Sequence, residues 1–285
     1  MKTSSLLIVT FSCAISVGII SCNNSSTENK TSSSDSISPA PTLPKVKTED
    51  ISYKADTVSI NSFLAYDERF SDKRPVVLIL PEWWGISDYT KRRAKQLAEL
   101  GYLAIAIDIY GNGKVAPDPQ TAMNLSEPFY KKPKLAKDRI DATIAQLKNY
   151  PQADTSNIAA IGYCFGGAVV LNAARLGEQL KGVVSFHGGL IGTPARKDLL
   201  KAKILVCHGD EDNFVAPAEV AQFKKQMDSV GADYTFKAYP GATHAFTNPE
   251  ATEIGKKFDL PIAYNAAADA ASWKDMNEFF GKIFK

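Results

Sequence analysis

The stretch GYCFGG at Gly162–Gly167 is the feature that most restricts how this chain can fold. It follows the short apolar run Ile158–Ile161 and precedes a segment with helical spacing. Glycine stands where a sharp turn between strand and helix leaves no room for a side chain. The pattern G-x-S-x-G, with cysteine in place of serine, therefore predicts a nucleophile elbow with Cys164 at its tip. The positive end of the following helix favours a reactive thiolate there, whereas the simplest alternative is a buried small residue.

The remainder of the chain from Tyr53 onward alternates short apolar runs with segments of helical spacing. This alternation is typical of an α/β fold with a mostly parallel sheet and helices on both faces. The predicted strands are an opening hairpin, Thr57–Ile60 with Ser62–Tyr66, and then Pro75–Leu80, Leu103–Ile107, Ile158–Ile161, Gly182–Phe186, Lys203–Cys207 and Tyr234–Ala238. The predicted helices are Tyr89–Leu100, Pro133–Asn149, Gly167–Leu176, Pro217–Val230 and Ala263–Phe284.

One segment, Gly111–Pro133, breaks this rhythm with Gly, Pro and Asn. We expect it to be irregular. Loops after strand carboxyl ends border the ligand crevice in open α/β sheets, so it either shapes a pocket or is a plain surface connection.

The N-terminus has the features of an exported lipoprotein. Residues 1–22 combine a basic start with an apolar run too short to span a membrane, which is typical of a signal peptide. Its end resembles a bacterial lipobox and predicts lipidation at Cys22; an ordinary secretory signal or uncleaved anchor is the alternative. Residues 23–50 are polar and predict a flexible tether. The catalytic domain is then 51–285, and we expect a bacterial envelope protein, periplasmic or outer-membrane associated, held to the membrane only by this anchor.

Charge and cysteine content exclude several classes of partner. Lys and Arg outnumber Asp and Glu by 33 to 31, so no strong field recruits nucleic acid. Only Cys164 and Cys207 of the four cysteines fall in the folded domain, which argues against a disulfide scaffold. No dense cluster of His, Cys and carboxylates has ligand spacing, so we predict no metal. The oligomeric state stays open.

The downstream segments supply partners for the nucleophile. A His-Gly-Asp-Glu-Asp loop follows one predicted strand, and His244 follows the next. The order nucleophile, acid, histidine is that of the α/β-hydrolase fold, and strand ends bring such residues to one sheet edge. We predict His244 as the base and Asp212 as the acid that orients it, with Asp210 and Glu211 as capping or solvent-exposed residues.

Two other histidines end predicted strands. His208 is most simply a packed, hydrogen-bonded structural residue. His187 either faces the pocket and contacts substrate or serves packing.

The segment Pro81–Gly85 follows the predicted third strand, where this fold places the second amide of the oxyanion hole. We predict the hole to be the backbone N–H groups of Phe165 and Trp83. Trp84 either walls the substrate pocket or packs at its rim. Glu82 ends a buried strand and needs a partner, since burial of an unpaired carboxylate is costly; it either accepts the thiol proton or forms a structural ion pair.

Together, GYCFGG, PEWWG, GDEDNFV and GATHAF resemble the dienelactone hydrolase family from about Ser52 to the C-terminus. The resemblance implies an α/β-hydrolase fold, a Cys164-His244-Asp212 triad that forms a thioester, and Glu82 as the residue that activates the thiol. It implies no cofactor.

Two arginines that bind the substrate carboxylate in name-giving family members are absent. Asn112 and Asn248 stand at about their places. Because asparagine lacks the charged, bidentate grip of arginine, we expect a small neutral ester or lactone as substrate. The competing functions are a catalytically silent ligand-binding lipoprotein and a peptidase or acyl-peptide hydrolase of the same fold.

Overall fold

The computed structural model describes residues 43–285. The predicted signal peptide, Cys22 and the first part of the tether lie outside them. The strands are β1 (Val46–Ala55), β2 (Val58–Asp67), β3 (Arg74–Leu80), β4 (Leu103–Ala106), β5 (Ala153–Tyr163), β6 (Gly182–Phe186), β7 (Lys203–Gly209) and β8 (Tyr234–Tyr239). The helices are α1 (Asp88–Glu99), α2 (Pro119–Lys131), α3 (Pro133–Leu147), α4 (Phe165–Arg175), α5 (Pro217–Val230), α6 (Ala251–Phe258) and α7 (Ala266–Ile283).

The strands form one sheet in the order β1-β2-β4-β3-β5-β6-β7-β8. The pairings from β4 to β8 are parallel, and β2 adds antiparallel to β4 at one side. In β3, Val76, Leu78 and Leu80 face one core, and Val77 and Ile79 face the other. This alternation buries both sheet faces, as strands of a parallel sheet require. The predicted α/β class is confirmed.

The start of the domain differs from the sequence prediction. Thr57–Ile60 and Ser62–Tyr66 do not form a hairpin with each other, because β2 contains nearly all of both. The actual hairpin pairs β2 with β1, and its turn places Asp56 in the left-handed region at φ 55°. Residues 46–50, assigned to the tether, thus belong to the sheet. Their polar side chains are largely exposed on an edge strand, so they carry little apolar pattern.

The segment Gly111–Pro133 is not irregular as predicted, since most of it is α2. Asp118 caps the helix, with its side chain accepting from the Thr121 amide at 2.8 Å, and Pro119 occupies the first turn. Pro128 lies inside the helix and masked its pattern. α6, a helix of eight residues, was also not predicted. No helix among residues 43–285 is long and apolar enough to cross a membrane.

Candidate active site

The turn between β5 and α4 holds Cys164 in a strained backbone conformation, with φ 53° and ψ −116°. Two glycines make this turn possible. A Cβ atom on Gly162 would lie 2.0 Å from the Gly166 carbonyl oxygen, and one on Gly166 would lie 2.2 Å from the Leu80 carbonyl oxygen. The Cys164 amide donates to the Phe186 carbonyl at 3.0 Å, which ties the turn to β6. The partly exposed thiol lies on the wall of a cavity.

Loops after β7 and β8 bring the predicted acid and base together. His244 Nδ1 lies 2.8 Å from Asp212 Oδ2, and Asp212 Oδ1 accepts from the Phe214 amide at 2.9 Å. Nε2 of His244 is thereby left for the Cys164 sulfur. Burial opposes the cation, yet the Cys164 sulfur and the Asp212 carboxylate outweigh it and raise the pKa of His244 to about 10. A pKa in this range favours the protonated form of His244 at neutral pH, beside the Cys164 sulfur.

The choice among the three carboxylates of the acid loop follows from burial. Asp212 is buried against His244, whereas Asp210 and Glu211 are exposed. Only a buried carboxylate can hold the imidazole ring in one orientation without competition from water.

Glu82 lies two residues after the end of β3, with its side chain buried in the wall of the cavity. Its hydrogen-bond partner is Asn248, whose Nδ2 donates to Oε2 at 2.8 Å. Burial raises the pKa of Glu82 to about 7, although the Asn248 hydrogen bond and the charge of His244 oppose the rise. Glu82 therefore gains or loses a proton close to neutral pH. Asn248, which we predicted to bind substrate, lines the cavity, but its side-chain amide donates to Glu82.

The amides of Phe165 and Trp83 both belong to cavity-lining residues. Neither donates a hydrogen bond to any residue in the described range 43–285. The Trp83 carbonyl is held instead, because it accepts from the Tyr110 hydroxyl at 2.9 Å. Trp84 lines the cavity and stacks on Phe258 at 5.8 Å, so it is both a wall and a packed rim residue. The two free amides are available to an oxyanion.

His187 is fully buried beneath the elbow and does not line the cavity, so it cannot touch substrate there. Its Nδ1 lies 3.1 Å from the Cys164 amide and its Nε2 lies 2.7 Å from Thr247 Oγ1. An acceptor at Nδ1 fixes the proton on Nε2. Burial, together with the charge of His244, holds the pKa of His187 well below its usual range. The sequence did not reveal that this neutral ring joins the elbow to the His244 loop.

This link continues into a buried polar network. The Tyr89 hydroxyl bonds to Thr247 Oγ1 at 2.7 Å, and Arg93 donates to the Thr247 carbonyl at 2.8 Å. Arg93 also pairs with Asp269 on α7. Helices α1 and α7 thus hold in place the segment that carries His244.

Two further predictions fail. Asn112 is exposed at a turn beside β2 and is not on the cavity wall. Its backbone N–H donates to the Ser59 carbonyl. The turn after β4 bends away before α2 returns over the site. His208 packs against Phe236 as expected, but its Nδ1 has no hydrogen-bond partner in the described part of the chain.

The cavity has a volume of about 670 Å³, within the range of ~300–1,000 Å³ common for small-molecule sites. Residues missed by sequence reasoning supply much of its wall: Met123 and Tyr130 on α2, Ile254 on α6, and Leu260 and Ile262 beyond it. Pro119 and Asp118 were the available signal for α2. The charged lining residues are Glu82, Glu127 and His244, and no lysine or arginine of residues 43–285 lines it.

Cys207 differs from Cys164 in its exposure. It is fully buried, and burial raises the pKa of its thiol to about 12. Among residues 43–285, no group of three or more His, Cys, Asp or Glu could hold a metal ion.

Comparison with known proteins gives a consistent result. A family model described as the dienelactone hydrolase family matches residues 60–284. A putative carboxymethylenebutenolidase from Methylorubrum extorquens is 27% identical over 217 residues, 72% of this chain and 71% of that protein. A probable 2-oxo-3-(5-oxofuran-2-ylidene)propanoate lactonase from Bradyrhizobium sp is 30% identical over 200 residues, 65% of this chain and 79% of that protein.

A solved structure is also similar along most of the domain. The crystal structure of a dienelactone hydrolase-like promiscuous phosphotriesterase from metagenomic libraries matches with a TM-score of 0.78 and 32% identity. The match covers 84% of this chain and 98% of that one.

Proposed function

Because this chain belongs to the dienelactone hydrolase family, with its α/β-hydrolase fold, and is a hydrolase of ester or lactone type, we propose that Cys164 is its nucleophile. His244 acts as base and acid, and Asp212 orients it. The observation that carries the proposal is the 2.8 Å contact between Asp212 and His244 at the wall that also holds Cys164. A nucleophile, a base and an orienting acid in this arrangement suit acyl transfer.

The first half-reaction begins with the Cys164 thiolate, stabilised by protonated His244. The sulfur attacks the carbonyl carbon, and the carbonyl π electrons move to oxygen. The Phe165 and Trp83 amides stabilise the resulting oxyanion, and one such donor is typically worth about 3 kcal/mol. When the carbonyl re-forms, the bond to the leaving oxygen breaks and His244 Nε2 gives its proton to that oxygen. The products are a thioester on Cys164 and a free alcohol, or the opened chain of a lactone.

The second half-reaction returns the enzyme to its starting state. Neutral His244 takes a proton from water as the water oxygen attacks the thioester carbon. The same amides hold the second oxyanion. Its collapse breaks the carbon–sulfur bond, releases the acid and regenerates the thiolate beside protonated His244. No cofactor enters either step.

Glu82 is proposed as the group that sets the protonation state of the site. It lines the same cavity as Cys164, and its pKa of about 7 lets it accept a proton at neutral pH. In the described geometry it bonds to Asn248, so transfer from the thiol requires substrate to disturb that contact.

The substrate proposed is a small ester or lactone without negative charge. Among residues 43–285, the cavity wall carries no lysine or arginine that would pair with a carboxylate, and the one cation on it, His244, is already paired with Asp212. A neutral phosphotriester is a second candidate, because the 32% identical relative is described as a promiscuous phosphotriesterase and the same amides would face a phosphoryl oxygen.

The experiment is hydrolysis of p-nitrophenyl acetate by residues 43–285, with mass mapping of cysteines after iodoacetamide. Activity lost in step with alkylation of Cys164, and absent in Cys164→Ala, is the expected result. Cys207→Ala is the matched control and should keep its activity. A folded Cys164→Ala protein with full turnover would refute the nucleophile. No turnover of any ester by folded wild type would favour a silent binding protein, and cleavage of peptides alone would favour a peptidase.

We also propose that the chain is exported and lipid-anchored through Cys22, a residue outside the described range. The support is the sequence pattern at residues 1–22 alone. Partition of the full-length protein into detergent, lost in Cys22→Ala, tests the anchor. Equal partition of both proteins into the aqueous phase would refute it.

A further inference from the structure

The cavity above Cys164 opens through a rim of large apolar side chains that remain about half exposed. Met123, Tyr130 and Phe214 are 52%, 50% and 48% exposed, and all three line the cavity. Single exposed apolar residues are ordinary on a protein surface. Three around one opening, continuous with an apolar interior, indicate a surface that binds an apolar ligand.

Two elements supply apolar side chains to the interior beyond the rim. One is α2, whose apolar lining residues Met123 and Tyr130 lie among the polar Gln120, Asn124, Ser126 and Glu127. The other is α6 with the segment that follows it, including Ile254 and Leu260. The two glutamates on the lining, Glu82 and Glu127, would repel a carboxylate on the substrate. Glu127 is exposed and paired with Lys131, which is not itself on the lining.

The chemistry assigns a direction to the bound ester. His244 must protonate the leaving oxygen, so the alcohol part lies beside its ring. Phe214 contacts that ring, with centroids 4.9 Å apart, and so borders the leaving group. The acyl part then extends to the other side, where Tyr130 packs edge-on against Phe165 at 5.4 Å.

The α2 wall has a definite length. Met123 and Tyr130 are seven residues apart, so they lie on one face of the helix about 10 Å apart along its axis. An alkyl chain laid along this face would contact both side chains and would pass Ser126 and Glu127, which lie between them on the same lining. An acetyl group would leave most of the wall without a ligand.

Resting on the proposed function, we propose that the site takes uncharged esters with an apolar acyl group of hexanoyl to octanoyl length, and that Met123 and Tyr130 determine this selectivity. Each methylene placed on the wall should raise kcat/KM up to about fourfold, which corresponds to about 0.8 kcal/mol per buried CH2.

The test keeps p-nitrophenol as leaving group and varies the acyl chain from acetyl to octanoyl. We expect kcat/KM to rise to a maximum at hexanoyl or octanoyl, by up to about 250-fold over acetyl for four added methylenes. The mono-p-nitrophenyl ester of glutaric acid, which adds a carboxylate, should react at least tenfold more slowly than the hexanoyl ester.

Met123→Lys tests the wall directly, since a half-exposed position tolerates lysine without loss of the fold. It should lower the hexanoyl-to-acetyl ratio at least tenfold and improve the glutaric ester. Leu100→Lys, at an exposed apolar site after α1, is the control and should keep the wild-type ratio.

The outcomes separate the two levels of the argument. Suppose that turnover of the acetyl ester depends on Cys164. A chain-length profile that is flat within twofold, or a hexanoyl-to-acetyl ratio in Met123→Lys equal to that of wild type, then overturns the acyl selectivity and leaves the proposed function intact. No turnover of any ester in the series by the folded enzyme overturns both.

Discussion

Replacing Glu82 with glutamine should change how the stability of the protein depends on pH. Glu82 is 3% exposed, and burial raises its pKa from 4.5 to about 7. In the unfolded chain the same carboxyl ionises near its ordinary value. Between these two values, the folded protein therefore keeps a proton that the unfolded chain has already lost.

The sign and size of the effect follow from this difference in bound protons. Since the folded state binds more protons, the free energy of unfolding of wild type falls as pH rises through this window. The gap between a pKa of 4.5 and one of about 7 corresponds to a loss of about 3 kcal/mol in the free energy of unfolding. The loss is complete above pH 7 and absent below pH 4.5. Glutamine cannot ionise, yet it keeps an oxygen for the Asn248 amide, so Glu82→Gln lacks this loss.

The assay is urea unfolding of wild type and Glu82→Gln at a series of pH values from 5 to 8.5. The variant's advantage in free energy of unfolding should grow by about 2–3 kcal/mol over that range. Taking the difference between two proteins cancels the titration of the histidines. Glu127→Gln is the control, because Glu127 lines the same cavity but is exposed. A difference between Glu82→Gln and wild type that stays constant with pH would refute the reasoning.

Three further outcomes are expected. Asp212→Asn should move the alkaline limb of kcat/KM to lower pH by about 1–3 units in a pH–rate profile, since the carboxylate raises the pKa of His244; an unmoved limb contradicts this. His187→Phe should lower the free energy of unfolding by about 1–3 kcal/mol in urea, with His187→Asn losing less because it keeps an acceptor for the Cys164 amide. Gly166→Ala should lower the free energy of unfolding by about 3 kcal/mol or prevent folding, because its Cβ would overlap the Leu80 carbonyl. Gly281→Ala has open space around it and should raise the free energy of unfolding by about 0.5–1 kcal/mol, measured by thermal unfolding. Equal effects of the two substitutions would contradict the packing argument.

The central part of the fold was predictable because its strands are buried on both faces and read as apolar runs. The strands from Arg74 to Tyr239 were found within a few residues, apart from the polar start of β5. β1 was missed because an edge strand with exposed polar side chains, Lys47 to Asp50 among them, has no such run.

That Asp212, His244 and Cys164 would lie at one edge of the sheet was predictable from their order alone, since each follows a strand. The surroundings were not. α2 contains Pro128, and a proline usually argues against helix interior. Asn112 was placed in the site by its position after a strand, but a turn with φ 57° carries it to the surface. The role of His187 depends on a tautomer that only its two neighbours reveal.

The attachment of α2 has a consequence for how the site opens. This helix packs mainly on α3 rather than on the sheet, and Pro128 removes the amide that would bond to the Asn124 carbonyl on the cavity wall. Few contacts are broken when it loosens, so local opening there costs far less than global unfolding. Amides of α2 should exchange with deuterium faster than those of α4, which is buried along its whole length. The largest ligand that the cavity admits then depends on the equilibrium between the packed and the loosened state of α2. Raising the temperature should shift this equilibrium, and admit larger ligands, well before the whole protein unfolds.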